Sequence, residues 1–528
     1  MKKQTILRSA VFVSAIMISS LVGFSTNYVF ATPPTSPNGN QNGGNGGSAN
    51  VTYSTKNEFK KSNSQSNVFY ESTTGGENAI LASAGTLNLT NPTVKKSGDS
   101  NGDNADFYGT NAAVLSIESS KIKISGGEIT TNGAHANAVF AYGNSTIDIS
   151  DATIKTTSNN SGGVMVTGGG TLNATNLVVE TDGNSSAPIR SDRGGGTMTI
   201  SGGEYTSNGI GSPAIYSTAN ITVKGGDTTL KSNASEGVVI EGANSVSIED
   251  GTSIIANNTK LNGNSETYKS IFIYQSMSGD ASEGTGTFSI KDSSVDTLNG
   301  DTFFVTNTNA KIEIEHSKFT YGESADLTNR AFLRIQAGKW GKSGKNGGNV
   351  TLTSKNSPLR GNIVVDKIST LDATLAEKTE FLGAINTAKI AKEITISLDK
   401  TSRIILTGDS YITTLKNEVE DNSNIYANGH KLYINGTEVK INQNAPEEWT
   451  YDFSRAEESE VTTATEAKED DKTWLVIILV ASGVVLIVAV TMVVITFEKK
   501  KKEKRFNEEA IAISQAENNS LKKPWEKA

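Results

Sequence analysis

The chain has 528 residues, a net charge of −8 and no cysteine, which excludes a disulfide framework and gives no support to nucleic-acid binding. Hydrophobic residues make up only 35%, and mean hydropathy is −0.32. Those values are low for a compact globule and suit thin stacked layers that each bury one narrow face.

Residues 1–31 read as a secretory signal peptide. Lys2, Lys3 and Arg8 precede an apolar run from about Ala10 to Phe24, and Val29-Phe30-Ala31 offers a cleavage site. Residues 32–50, rich in Pro, Asn and Gly, read as a flexible linker.

Residues 51–443 carry a repeat. The core reads Ile122-Lys-Ile-Ser125, Ile147-Asp-Ile-Ser150, Leu172-Asn-Ala-Thr175, Met198-Thr-Ile-Ser201, Ile221-Thr-Val-Lys224 and Val246-Ser-Ile-Glu249, with starts 25, 25, 26, 23 and 25 residues apart. Leu87, Phe288, Ile312, Val350, Leu371 and Ile394 open further copies. A second apolar strand follows about eighteen residues after each first one. One column through it is expected to stack inside the coil: Phe140, Met165, Ile189, Ile215, Val239, Phe272 and Phe304. Asn132, Asn159, Asp182, Asn208, Asn233 and Asn257 lie between the strands, where left-handed turns and a polar ladder are expected. Short strands, glycine-rich turns and this period predict an all-β parallel β-helix, a solenoid of about 12 to 14 coils. Ser97–Thr110, Asn258–Lys269, Ser276–Gly286 and Gly338–Gly348 interrupt the period as loops, where function is expected.

Residues 444–472 read as a solvated acidic stalk, with ten acids against three bases from Glu447 to Lys472. Residues 473–497 read as one transmembrane helix, since Trp474–Phe497 holds no charge. The basic cluster from Lys499 to Arg505 opens a cytoplasmic tail, 498–528, so the body is expected outside the membrane.

Ser125-Gly-Gly-Glu-Ile-Thr130, Ser201-Gly-Gly-Glu-Tyr-Thr206 and Ile189-Arg-Ser-Asp-Arg-Gly-Gly-Gly196 resemble coil phrases of Gram-positive surface proteins. So do Asp103-Asn-Ala-Asp-Phe-Tyr-Gly109 and Tyr274-Gln-Ser-Met-Ser-Gly-Asp-Ala-Ser-Glu-Gly284. Such proteins are built on right-handed β-helices of pectate-lyase-like architecture and are described as adhesin-like. The resemblance implies fold, handedness and surface placement. It carries no settled reaction.

The candidate ligand-binding residues are Arg190, Asp192, Arg193, Tyr216, Glu241, Tyr274 and Gln275. If they form an outward stripe, the aromatic rings stack on sugar faces while Arg and Asp bind hydroxyls or carboxylates. The competing local reading pairs Arg190 or Arg193 with Asp192 or Glu241 to stabilise a turn. Asp99, Asp103 and Asp106 form a loop of oxygen ligands for which calcium is the candidate cation; no motif implies another cofactor. His135, His316 and His430 lie far apart in sequence without a zinc motif. The expected function is a membrane-anchored extracellular protein that binds a glycan or cell-wall polymer. The alternatives are a polysaccharide lyase or hydrolase, with Asp192, Asp280, Glu283 and Glu241 as candidate carboxylates, and a passive spacer.

Overall fold

The computed structural model describes residues 51–261, 267–322 and 330–453. All of them belong to one compact unit, Met1–Arg455; a second unit, Ala456–Ala528, lies outside the described residues. The signal peptide, first linker, transmembrane segment and tail expected from sequence also lie outside them.

Short strands wind into a parallel solenoid. Its main elements are a 21-stranded and a 12-stranded sheet. All pairings between named strands are parallel except Leu432–Ile434 with Thr437–Val439, an antiparallel hairpin near the C-terminal end of the described chain. Each apolar–polar–apolar core lies in register over the next. Leu87, Ile122, Ile147, Leu172, Met198, Ile221, Val246, Phe288 and Ile312 form one continuous column of direct partners. Strand alternation buries that column and turns Lys123, Asp148 and Asn173 outward. Beyond Ile312 the partner is Leu352, two residues after the expected Val350. A shift of two keeps the same face, so the core survives it.

The second-strand column differs from the expected one, for a related reason. Val139, Val164, Ile189, Ile215, Val238, Ile271, Phe303 and Leu333 are the direct partners, and all are fully buried. Phe140 and Met165 are followed by Arg190 and Tyr216, then by Val239, Phe272 and Phe304. Ile189 and Ile215 therefore belong to the inner column and do not stack under Met165. The expected column mixed two faces because a one-residue slip reverses side-chain direction.

Phe140 and Met165 face away from the main core. They join Leu81, Ala112, Leu115 and Ile117 in a separate buried cluster. Its cover comes from the Ser97–Thr110 insertion, which contains the short helix Asp103–Tyr108. Gly109 closes that helix at φ 74°, and a Cβ there would lie 2.7 Å from Leu115 Cδ1. Only glycine allows both the left-handed turn and so close an approach. The Thr167 hydroxyl donates to the Phe107 carbonyl at 2.6 Å, holding the insertion on the sheet.

The turn ladder is partly as expected. Asn208 donates to Asp182 at 2.7 Å, and Asn233 donates to Asn208 at 2.7 Å. Asn159 belongs to a neighbouring ladder, accepting from the Asn184 backbone. The left-handed residues of these turns are His135, Asn160 and Ser185 rather than the expected Asn or Asp positions, and a second turn is also left-handed, with Asn91, Gly126, Asp151, Asn176 and Gly202 at φ between 48° and 70°. A Cβ at Gly126 would meet Asn91 Oδ1 at 2.2 Å, and one at Gly202 would meet Asn176 Oδ1 at 2.3 Å. An Asn side chain in one coil thus requires Gly in the next.

The first residues of the expected stalk are not free of the solenoid. Residues 444–453 run back along its flank. Trp449 lies 3.8 Å from the Arg403 guanidinium, Tyr451 stacks under Lys378, and Phe453 stacks on His316. Alternate residues thus meet successive cationic or imidazole side chains, as extended backbone allows. Tyr451 also donates to the Lys378 carbonyl at 2.9 Å.

His316 closes this strap. Nδ1 lies 2.6 Å from Asp292 Oδ1, and Nε2 lies 2.7 Å from the Asp452 carbonyl. Two acceptors require two donors, which only the imidazolium supplies. Burial lowers the imidazole pKa, but the Asp292 hydrogen bond, the Asp452 carbonyl and both carboxylate charges outweigh it, and the net shift is upward. A raised histidine stabilises below its unfolded value of about 6.5 and loses that contribution as pH rises through the folded value. Protection from hydrogen exchange across 447–453, taken relative to the intrinsic base-catalysed rate at each pH, is expected to be higher at pH 5.5 than at pH 8.5, with His316→Gln abolishing most of the difference. Protection in the parent that does not change over this range would exclude the imidazolium lock.

Candidate ligand-binding cleft

Two insertions meet on the outward face of the 12-stranded sheet, over the stretch where its apolar column turns polar. Asp103–Tyr108 forms one wall, and the loop carrying Asp280 forms the other. Arg190 and Tyr216, direct partners on adjacent strands, line the cleft with Asp192. The enclosed volume is about 240 Å³, room for part of a sugar chain.

Arg193 joins the two walls. Its Nε and Nη2 donate to Asp280 Oδ1 at 3.0 and 2.8 Å. The same guanidinium lies 4.0 Å over the Phe107 ring, so one planar cation contacts both insertions. Arg190 Nη2 donates to Asp192 Oδ2 at 3.1 Å, and the Arg193 backbone N–H donates to Asp192 Oδ1 at 3.0 Å. The local pairing considered from sequence is therefore present between Arg190 and Asp192. Arg193 pairs with Asp280, not with Asp192 or Glu241.

Burial pushes the Asp192 carboxyl up to about 7. Arg190 opposes that shift, and the Asp280 and Asp106 charges add to it. Asp192 is therefore poised to exchange a proton near neutral pH. On the first wall, Asp106 Oδ2 lies 2.9 Å from His135 Nδ1. His135 Nε2 lies 3.2 Å from Asn160 Nδ2, an N–H donor. The imidazole thus bridges Asp106 of the insertion and Asn160 of the neighbouring coil.

Glu241, Tyr274 and Gln275 are not part of an exposed stripe. Glu241 is 1% exposed. Its Oε2 accepts from Tyr216 at 2.6 Å and from Tyr274 at 2.8 Å, while Ser276 donates to Oε1. Burial raises the Glu241 carboxyl above its ordinary value, and those three hydroxyls hold it back. Burial and then the Glu241 charge push both phenols far up, so they remain neutral donors. Gln275 donates to the Ser276 and Ala281 carbonyls. These residues anchor the Ser276–Gly286 insertion from beneath, and only Tyr216 reaches from this knot into the cleft. Glu283, a carboxylate considered from sequence, is exposed on the loop and does not line the cleft.

The acidic trio separates. Asp103 and Asp106 line the cleft from the helix, while Asp99 accepts from the Ala134 backbone at 2.8 Å. Among the described residues, no group of three or more His, Asp or Glu side chains is gathered to hold a metal ion. The three are thus not brought together as one calcium ligand set.

Sequence reasoning did not bring His135, Asn160 or Phe107 into the site. Their partners lie in other coils or in an insertion, and spacing does not encode those meetings. The legible signal was Arg190 and Tyr216, polar or amphipathic residues in a column whose other members between Leu115 and Phe304 are apolar, namely Phe140, Met165, Val239 and Phe272. No protein-family model, curated protein or solved structure matches the chain.

Proposed function

We propose that this chain is a membrane-anchored extracellular protein whose solenoid, a right-handed β-helix of about 12 to 14 coils, binds a glycan or cell-wall polymer in the cleft above Arg190, Asp192 and Tyr216. The observation that carries the reading is the convergence of two insertions over the Arg190–Tyr216 interval, where a covered column that is apolar from Leu115 to Met165 and again from Val239 to Phe304 turns polar. A ring edge, a buried guanidinium and carboxylates at the base of an open cleft suit hydroxyl recognition. The secretory start, the charge-free Trp474–Phe497 stretch and the basic cluster after it support the surface placement and the tether. The remainder of the acidic segment serves as the stalk.

A second reading, polysaccharide hydrolysis in the same cleft, is favoured by Asp192. Its carboxyl is held near neutrality beside Asp106 and Asp280, and glycoside hydrolysis uses one protonated and one ionised carboxyl.

The full chain, purified in detergent, is to be tested on an array of cell-wall and surface glycans. Binding is expected, with Tyr216→Ala lowering affinity at least about tenfold while far-UV circular dichroism remains that of the parent. No bound glycan, or undiminished affinity in the folded variant, would remove the cleft from the account and favour a passive spacer. Release of reducing ends without unsaturated products by the parent but not by Asp192→Asn would select hydrolysis.

A further inference from the structure

We infer that this cleft takes the end of a saccharide chain and not its interior; this rests on the glycan reading and narrows it to the terminal units. An internal segment needs two exits from a binding site, because chain leaves it in both directions. Here three sides of the cleft are closed, each by contacts of its own.

Toward the N-terminal coils the cleft stops against the helix Asp103–Tyr108. Phe140 and Met165, covered by that insertion, are fully buried, so no passage runs beneath it. The insertion is tied at both margins of the sheet. Asp106 meets His135 at 2.9 Å on the turn before the strands, and the Phe107 ring meets Arg193 at 4.0 Å beyond their ends. Toward the C-terminal coils the outward column closes again at Val239, the residue after Tyr216 in that column, which is 6% exposed. The open interval is therefore the two coils of Arg190 and Tyr216, about 10 Å along the axis. Across the strand ends Arg193 forms the third barrier, held to Asp280 on one insertion and to Phe107 on the other.

The fourth side falls away. His135, Asn160, Ser185 and Gly211 take the same place in successive coils, since His135 N–H donates to the Asn159 carbonyl, Asn160 to Asn184 and Ser185 to Ile210. All four line the cleft at φ between 53° and 64°. Their side chains shrink in that order, from imidazole to carboxamide to hydroxymethyl to hydrogen. The wall is thus tallest beside the helix and lowest at Gly211, and this is the mouth. A volume of about 240 Å³ behind a single mouth suits the last one or two rings of a chain. Arg190, Asp192 and Tyr216 at the base reach ring hydroxyls. A terminal unit offers one more of these than an internal unit, whose linkage consumes it.

Oligomers of glucose, N-acetylglucosamine and galacturonate, and of any other glycan the array retains, are coupled to a surface through the reducing end, the non-reducing end or both, and probed with the full chain. In each series that binds, coupling at both ends is expected to weaken binding at least about tenfold relative to the better single coupling, and the weaker single coupling names the end that enters. In solution, lengthening the oligomer beyond a trisaccharide is expected to leave affinity per chain within about twofold, with one protein on each chain. Arg193→Ala parts the barrier across the strand ends. With the parent's far-UV circular dichroism retained, it is expected to reduce the discrimination between single and double coupling severalfold.

Equal binding of doubly coupled oligomers would overturn the inference. So would affinity that rises in proportion to length, several proteins on one chain, or discrimination unchanged in Arg193→Ala. Tyr216-dependent binding of doubly coupled oligomers would leave the glycan reading standing and remove only the chain end. Failure of every glycan would remove both.

Discussion

Glu241→Ala is expected to destabilise the protein by roughly 3–5 kcal/mol, the cost typical of removing one partner from a buried charged network. The carboxylate is the common acceptor for the Tyr216, Tyr274 and Ser276 hydroxyls. Deleting it leaves buried donors with no acceptor in reach of water. Each carries its own desolvation penalty of about 1–3 kcal/mol. The loss is also expected to be local in its onset. Ser276 opens the insertion that forms one wall of the cleft, so hydrogen exchange should accelerate first across 275–286. Glu241→Gln keeps one carbonyl acceptor and is expected to lose less than half as much. Chemical denaturation read alongside peptide-resolved exchange checks both parts. An alanine variant within about 1 kcal/mol of the parent, or exchange unchanged in 275–286, would mean that the knot does not hold the wall.

Arg193→Ala is the second large effect, and it separates a clamp from an ordinary ion pair. Its guanidinium contacts Asp280 on one insertion and the Phe107 ring on the other. The expected loss is about 2 kcal/mol, because hydrogen bonds to charged groups contribute about 1.5–3 kcal/mol and Arg193 is partly exposed. Faster exchange should appear together in 99–110 and 276–284, residues far apart in the chain. Glycan affinity should fall with it, since both walls lose their brace. Arg193→Lys keeps the charge but not the planar fork, and should restore only part of either property. Acceleration confined to one insertion would show that the walls are independent.

The repeat was legible because stacked coils impose a period that survives in the primary sequence. Ile122, Ile147, Leu172 and Met198 are direct partners because their spacing matches one coil. The second strand was less legible. Its two faces are both apolar over several coils, the inner against the core and the outer under an insertion. Hydrophobicity alone could not then tell Ile189 from Phe140 by side, and a slip of one residue placed them together. The two-residue shift at Leu352 did no comparable harm, because it preserved direction. The stalk expectation weighed ten acids against few aliphatics, and overlooked Trp449, Tyr451 and Phe453 at alternate positions facing a row of basic and imidazole groups.

The candidate site divides along the same line. Arg190, Asp192, Arg193 and Tyr216 were found from their local phrase and column, since they sit on neighbouring coils. Their division of labour was not legible. Arg193 turned to Asp280, eighty-seven residues away, and Glu241 became the buried anchor of a loop.

From sequence alone came the all-β repeat, its period, the inner column of the first strand and the loops that interrupt it. Those are local or periodic properties, written wherever burial recurs once per coil. The tertiary structure alone decided which loops share a face, which acids keep a counter-ion and where the chain after the last coil runs. Such outcomes depend on the rotation at which each insertion leaves the solenoid, and on partners dozens of residues away that no period connects.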